Sequence, residues 1–186
     1  FVFFVFPYNI YITSSSSYMF SGIIEKKANI LSRDEGRFTV QNHFWNTLKI
    51  GQSIAHDGAC MTVEDFDEAK YTFFAMEESL NLTNFWEKNI WDSFNVERCL
   101  QVWDRIDGHF VSGHIDSIWK VKNLEKNRDG ALIIDISHDA SYSDLVVHKW
   151  SITLNGTSLT VTSNGPGELQ VWLIPITQEM TNLWAL

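Results

Sequence analysis

Two short stretches carry small nucleophilic and hydrogen-bonding side chains at matched spacing. Cys60-Met61-Thr62-Val63 follows an Asp57-Gly58 pair, and Ser158-Leu159-Thr160-Val161 follows Asn155-Gly156, ninety-eight positions later. Side chains alternate between the two faces of a strand. Cys60 and Thr62 therefore share one face and Met61 and Val63 the other; Ser158 and Thr160 stand likewise against Leu159 and Val161. One face can fill a core while the other presents a thiol or hydroxyls for addition or hydrogen bonding. Taken singly, Cys60 reads as a small buried hydrophobe, Thr62 and Thr160 as ordinary strand residues, and His114 as a surface histidine. His109 and His114 are five positions apart and form no metal-ligand pattern, and two cysteines, Cys60 and Cys99, supply neither a disulfide framework nor a zinc spacing. No metal is expected.

The elements that must position these residues come in two copies. At the offset of 98, Ile54 answers Ile152, Ser79 answers Thr177, Thr83 answers Thr181 and Asn84 answers Asn182. The openings match at an offset of 91, Ser21-Gly22-Ile23-Ile24 against Ser112-Gly113-His114-Ile115, so the second copy carries seven further residues, placed by the sequence around Glu125 to Gly130. Fixed register over so many positions predicts two similar domains. Each reads as β-rich: strands over Ser53 to Ala55, Cys60 to Phe66, Tyr71 to Met76 and Phe94 to Arg98, punctuated by turns such as His56-Asp57-Gly58. Short helical pieces fit Phe44 to Ile50 and Tyr142 to Lys149. Such spacing suits a small barrel or sandwich. The counterpart of Asn95-Val96-Glu97-Arg98 would fall beyond residue 186, so the second domain is expected without its last strand.

Composition narrows the function. A net charge of -9 argues against a general nucleic-acid or anionic-membrane binder. The unpaired cysteine usage suits a reducing, cytoplasmic setting, with organellar import left open. Eight Trp are many for 186 residues and read as core packing. Residues 1–18, an aromatic run leading into Ser14 to Ser17, are too short an apolar stretch to span a bilayer and lack the charged flank of a secretory signal. They read as a non-domain leader, with Met19 as the expected authentic start. The Asn81-Leu82-Thr83 and Asn155-Gly156-Thr157 sequons lie inside repeat motifs and read as coincidence.

Met19-Phe20-Ser21-Gly22-Ile23-Ile24-Glu25, Gly58 to Val63, Gly108-His109-Phe110-Val111-Ser112-Gly113-His114-Ile115-Asp116 and Asn155 to Val161 together resemble riboflavin synthase, as do Glu78-Ser79-Leu80, Thr83-Asn84 and Asn95 to Arg98. The likeness runs from Met19 to Leu183. It implies an all-β chain of two similar six-stranded antiparallel barrels, here 19–106 and 107–186, the second lacking its last strand. It implies the dismutation of two 6,7-dimethyl-8-ribityllumazine molecules by four-carbon transfer, giving riboflavin and a ribitylamino-pyrimidinedione, with no cofactor. It further implies a homotrimer, with each active site between barrels of neighbouring subunits and no nucleic-acid or membrane partner.

Carried over by position, one half-site uses Phe20, Gly22, Ile23 and Ile24 with Cys60, Met61 and Thr62. Phe74, Ala75, Met76, Glu77, Glu78 and Ser79 complete it. The other uses Gly113, His114 and Ile115 with Lys149, Ser158, Leu159 and Thr160. Trp172, Leu173, Ile174, Pro175, Ile176 and Thr177 complete that one. The reaction needs a proton removed from the donor's 7-methyl group and a nucleophile added to the partner ring. A neutral imidazole suits the first task near pH 7, which makes His114 the candidate base; Ser158 and Cys60 are candidates for hydrogen bonding or addition, their roles undivided. The sequence departs from the family pattern at Ile176, where many members have Glu, and at Trp86, Trp91 and Trp184, where turn glycines are usual. A non-catalytic lumazine- or flavin-binding protein, or an inactive product, is the alternative these departures leave standing.

Overall fold

The computed structural model describes residues 20–185; the leader and Met19 lie outside them. Eleven strands and two short helices run in the order β1 (Lys26–Asp34), β2 (Arg37–Gln41), β3 (Ser53–His56), β4 (Ala59–Phe66), β5 (Lys70–Phe74), α1 (Glu77–Asn81) and β6 (Ser93–Arg98), then β7 (Lys120–Lys126), β8 (Leu132–Ser137), β9 (Ser151–Leu154), β10 (Thr157–Gly165), β11 (Glu168–Leu173) and α2 (Pro175–Met180). The first six strands close into an antiparallel barrel ordered β1-β2-β5-β4-β3-β6. The other five form a sheet ordered β7-β8-β11-β10-β9 that does not close. The all-β, two-repeat architecture is as the sequence implies, and so is the open second unit. Among the described residues no helix is long and apolar enough to cross a membrane.

The repeats agree in detail. β4 and β10 each slip register against their hairpin partner at the same place, between Val63 and Asp65 and between Val161 and Ser163. Such a bulge bends the strand and increases its twist. Leu169 pairs with Ile136 as Tyr71 pairs with Val40, an offset of 96 on β8 against 98 on β11. The seven extra residues are thus divided: five precede β8, around the turn after β7, and two lie between β8 and β9.

The barrel core is built by Phe rather than Trp. Phe38, Phe73, Phe85 and Phe94 are fully buried and meet stacked or edge-on, with centroids 4.7 to 6.3 Å apart. His56 is sealed among them. Its Nδ1 lies 3.2 Å from the Ile54 carbonyl and its Nε2 2.8 Å from the Tyr71 hydroxyl, an arrangement that suits a neutral ring donating to the first and accepting from the second. Burial holds its pKa down at about 3. Seven of the eight Trp are exposed, Trp103 almost wholly. The expected Trp-rich core is therefore wrong; a bulky indole fits poorly inside so narrow a barrel.

Two expectations for helices also fail. Phe44 to Ile50 forms successive turns, and Tyr142 to Lys149 holds only the end of a 3₁₀ turn, Ala140–Leu145, followed by loop. The expected strand Tyr71 to Met76 stops at Phe74, because Glu77 and Glu78 favour the start of α1. Pro175 opens α2 in the equivalent place, where its missing N–H costs nothing.

Candidate functional site

The opening segment of each repeat crosses to the hairpin of the other. Phe20 and Val111 exchange backbone hydrogen bonds at 3.0 Å in both directions. On one side of that bridge the Ser158 amide donates to Gly22 O at 2.7 Å; on the other the Cys60 amide donates to Gly113 O at 2.8 Å. Both glycines have positive φ, and a Cβ on Gly22 would lie 2.8 Å from Ser158 Cβ, one on Gly113 2.7 Å from Cys60 Cβ. Only glycine admits so close an approach. Ser158 and Cys60 thus occupy equivalent places in a two-fold arrangement, one on each side of the chain's own junction.

The two places differ chemically. His109, from the segment between β6 and β7, lies across the β9–β10 hairpin, its Nδ1 2.7 Å from Ser158 Oγ and its Nε2 2.9 Å from Thr153 Oγ1. Partial burial holds its pKa below the ordinary histidine value, favouring the neutral form. A neutral ring with its proton on Nε2 donates to Thr153 and accepts from Ser158, the geometry of a base beside an activated hydroxyl. At the equivalent places of the first repeat, Ala55 stands for Thr153 and Cys60 for Ser158. The Cys60 thiol shares a hydrogen bond with Ser53, and burial pushes its pKa up, away from the thiolate.

A carboxylate locks this junction from the barrel side. Glu97 on β6 accepts from the Ser21 amide at 2.7 Å, the Ser21 hydroxyl at 2.8 Å and the Gly22 amide at 3.0 Å. Burial raises its pKa, and these donors oppose the rise. Ser21 O in turn accepts from the His109 amide at 2.9 Å. Gly108 must lack a side chain there, since a Cβ would collide with Ser21 O. The relay from Glu97 through Ser21 fixes the backbone of His109, and through Gly22 that of Ser158.

The other sequence-derived residues are placed as follows. His114 is exposed, its amide held by Ser112 Oγ at 3.1 Å, and it shares a cleft of about 690 Å³ with His109 and Thr153. Among the described residues the hydrogen bond to Ser158 Oγ comes from His109, not His114. Lys149 takes φ of 66° and donates its amide to Val161 O, as Gly51 does to Val63 O in the first repeat. Thr62 and Thr160 are exposed on the outward strand faces, whereas Met61 and Leu159 enter the cores. Phe20, Ile24, Ala75 and Leu173 are buried, so they shape the site from behind. Ile23, Phe74, Met76, Trp172, Ile174 and Ile176 present exposed apolar rims, and Ile115 packs against the first core. Glu77, Glu78 and Ser79 belong to α1, and Pro175 and Thr177 to α2.

His109 has a role that the sequence alone does not mark: it lies in the Gly108 to Asp116 motif and, with His114, forms only a pair without metal-ligand spacing. A recoverable signal existed, since Thr153 and Ser158 are cross-strand partners on one hairpin and a third polar group was needed to satisfy both hydroxyls.

Comparison with known proteins adds three kinds of likeness. A lumazine binding domain model matches residues 21–99 and again 112–186. The riboflavin synthase of Escherichia coli (strain K12) is 33% identical over 171 residues, covering 89% of this chain and 80% of that one. That of Schizosaccharomyces pombe is 34% identical over 172 residues, 86% of this chain and 80% of its own. Among solved structures, LumP complexed with riboflavin superposes with a TM-score of 0.80 at 19% identity over 90% of this chain and 94% of LumP. LumP complexed with 6,7-dimethyl-8-(1'-D-ribityl) lumazine gives 0.78 at 20% identity, covering 90% and 93%.

Proposed function

Because this chain belongs to the lumazine-binding-domain family, alongside the riboflavin synthases, we propose that it is itself a riboflavin synthase. It would join two molecules of 6,7-dimethyl-8-ribityllumazine and pass four carbons from one to the other. The observation that carries the reading is the His109–Ser158 hydrogen bond backed by Thr153: a protein that only holds a chromophore gains nothing from a base aimed at a hydroxyl.

The roles follow from position. Ser158, with His109 as base, adds to or polarises the acceptor ring. His114, exposed on the loop beside Cys60, is free to reach the donor's 7-methyl proton. Cys60, kept as the neutral thiol, serves as a hydrogen-bonding surface rather than a nucleophile. Lys149, Thr62 and Thr160 face the ribityl hydroxyls, and the apolar rims at Phe74, Met76, Trp172, Ile174 and Ile176 suit planar rings. Holding two rings together converts a bimolecular encounter into an intramolecular one, which can supply much of the rate. Those rims also suit burial against a neighbouring subunit, in keeping with a cytoplasmic homotrimer. Incubation with the lumazine, followed by riboflavin absorbance, tests the activity; sedimentation tests the assembly.

A second reading is a lumazine or flavin carrier. The likeness to LumP complexed with riboflavin favours it. Tight ligand binding with no riboflavin formed would establish it and reject the enzyme.

A further inference from the structure

Two turns of one kind flank β6. Before it, Asn89-Ile90-Trp91-Asp92 closes with the Asp92 amide donating to Asn89 O at 3.1 Å and the Asn89 amide to Asp92 Oδ2 at 2.6 Å. After it, Gln101-Val102-Trp103-Asp104 closes the same way, the Asp104 amide on Gln101 O at 3.1 Å and the Gln101 amide on Asp104 Oδ2 at 2.7 Å. Each holds a Trp at its third position with positive φ, 78° and 80°, where such a turn favours glycine. Each leaves the indole outside, Trp91 70% and Trp103 96% exposed. Strain and exposure are shared by the two turns; their surroundings are not.

Trp91 sits at the start of β6, its amide tied to Ile30 O in β1. Trp103 is carried by a strap that spans the junction between the repeats. The strap begins at the end of β6, where the Arg98 guanidinium meets both Glu25 carboxylate oxygens at 2.6 to 3.1 Å and donates to Thr47 Oγ1 at 2.9 Å. Phe94 and Val96 of β6 and Met61 and Val63 of β4 face the barrel core. By alternation, Cys99 leaves β6 on the outward face, the face of Cys60 and Thr62. Burial, and then the nearness of Cys60 and Glu97, raises the Cys99 thiol pKa. The strap ends at Gly108, where a side chain would run into Ser21 O and Ser158 Cβ. Between these anchors residues 101–107 are all exposed. The strap therefore runs from the Cys60 side of the junction to the Ser158 side, with Trp103 at its middle.

We propose that Trp103 is a ligand-stacking residue, whose strap closes its indole over a planar ring held at this junction. The proposal rests on the reading of the chain as a riboflavin synthase and adds a residue to it. An indole offers a flat apolar face to a flat heterocycle and has only two side-chain torsions to fix. A strap pinned at both ends, with no strand pairing between them, can close without moving the barrel beneath it. Val102 and Ile106, also exposed, are covered in the same movement.

The twin turns supply the control. Trp91→Gly and Trp103→Gly relieve the same strain and should raise the denaturation midpoint alike. Only Trp103→Gly should weaken riboflavin binding, by about fivefold or more, the effect of removing an aromatic platform from beneath a planar base. Trp103→Phe should keep most of the affinity. In the unaltered chain, riboflavin should slow amide exchange over residues 100–106 as the site fills. Equal riboflavin affinity in Trp103→Gly and the unaltered chain would overturn the proposal and leave the enzyme reading standing; so would an equal loss in Trp91→Gly. Failure of the unaltered chain to bind either riboflavin or the lumazine would remove the enzyme reading and this assignment with it. Strap protection that follows protein concentration and not riboflavin would also overturn it, since a second copy would then cover the indole.

Discussion

At the scale of single residues, the chemistry turns on which hydroxyl or thiol has a base. Removing a positioned base costs about 10²- to 10⁴-fold in rate, so His109→Ala and Ser158→Ala should each lower kcat for riboflavin formation within that range. The two losses should not add, because both residues serve one step. Cys60→Ala should cost less than tenfold, since a thiol whose pKa is raised gives little thiolate near neutral pH; a loss as deep as that of Ser158→Ala would return Cys60 to a nucleophilic role. The pH profile separates the histidines. Burial depresses the His109 pKa, so its base form persists to lower pH than that of an ordinary histidine, and the acid limb attributable to it should fall below about 6.5. The Cys60 and Ser158 faces were legible because a period of two is written directly into four consecutive residues. His109 was not, because its position depends on Gly108 passing against Ser21, a contact between segments 87 positions apart.

At the scale of elements, the four strands given bounds by the sequence, β3 to β6, keep them to within a residue or two, since alternation and Gly-containing turns are local. α1 and α2 escape such reading because five or six residues hold too little periodicity, and only Glu77-Glu78 and Pro175 mark their starts. Trp91 shows local preference overridden. It holds φ of 78° in the turn before β6, its amide donating to Ile30 O at 2.8 Å, while its indole is largely exposed. A left-handed backbone costs a non-glycine residue about 1 to 2 kcal/mol. Trp91→Gly should therefore raise the unfolding free energy by about 1 kcal/mol in denaturant titration with no change in riboflavin formation; a destabilised variant would mean the indole packs productively. Lys149 holds a similar φ where the first repeat has Gly51, and its side chain is one we propose for the ribityl hydroxyls. Lys149→Gly should gain stability and weaken lumazine binding, the exchange expected where strain is kept for function.

At the scale of the molecule, the two repeats are joined back to back by buried polar groups as well as by apolar area. Gly58 and Gly156 approach so closely that a Cβ on either would lie within 3 Å of the other's backbone nitrogen. Beside them Asp57 Oδ1 accepts from the Asn95 amide and the Asn182 carboxamide, each at 2.8 Å, and Oδ2 meets Lys88 Nζ at 2.9 Å. Burial pushes the Asp57 carboxyl up in pKa, against the pull of Lys88 and the amides. The repeat itself was legible in the chain at its fixed offset, but this junction was not, because its members come from Asp57, Lys88, Asn95, Asn155 and Asn182, spread over both copies. Its energetic weight can be read by truncation. Asn182→Ala leaves Asp57 Oδ1 and the Asn95 carboxamide short of partners, which should cost about 1 to 3 kcal/mol. Asp57→Ala strands a buried ammonium, and removing one partner of a buried pair costs about 3 to 5 kcal/mol. Because both residues touch Asn95, the double variant should be less destabilised than the sum of the two. The discriminating measurement is calorimetric. If the network couples the repeats, Asn182→Ala should split one unfolding transition into two, with the open sheet melting first; a single transition lowered in Tm would show that the glycine contact and the crossed opening segments couple the two units without it.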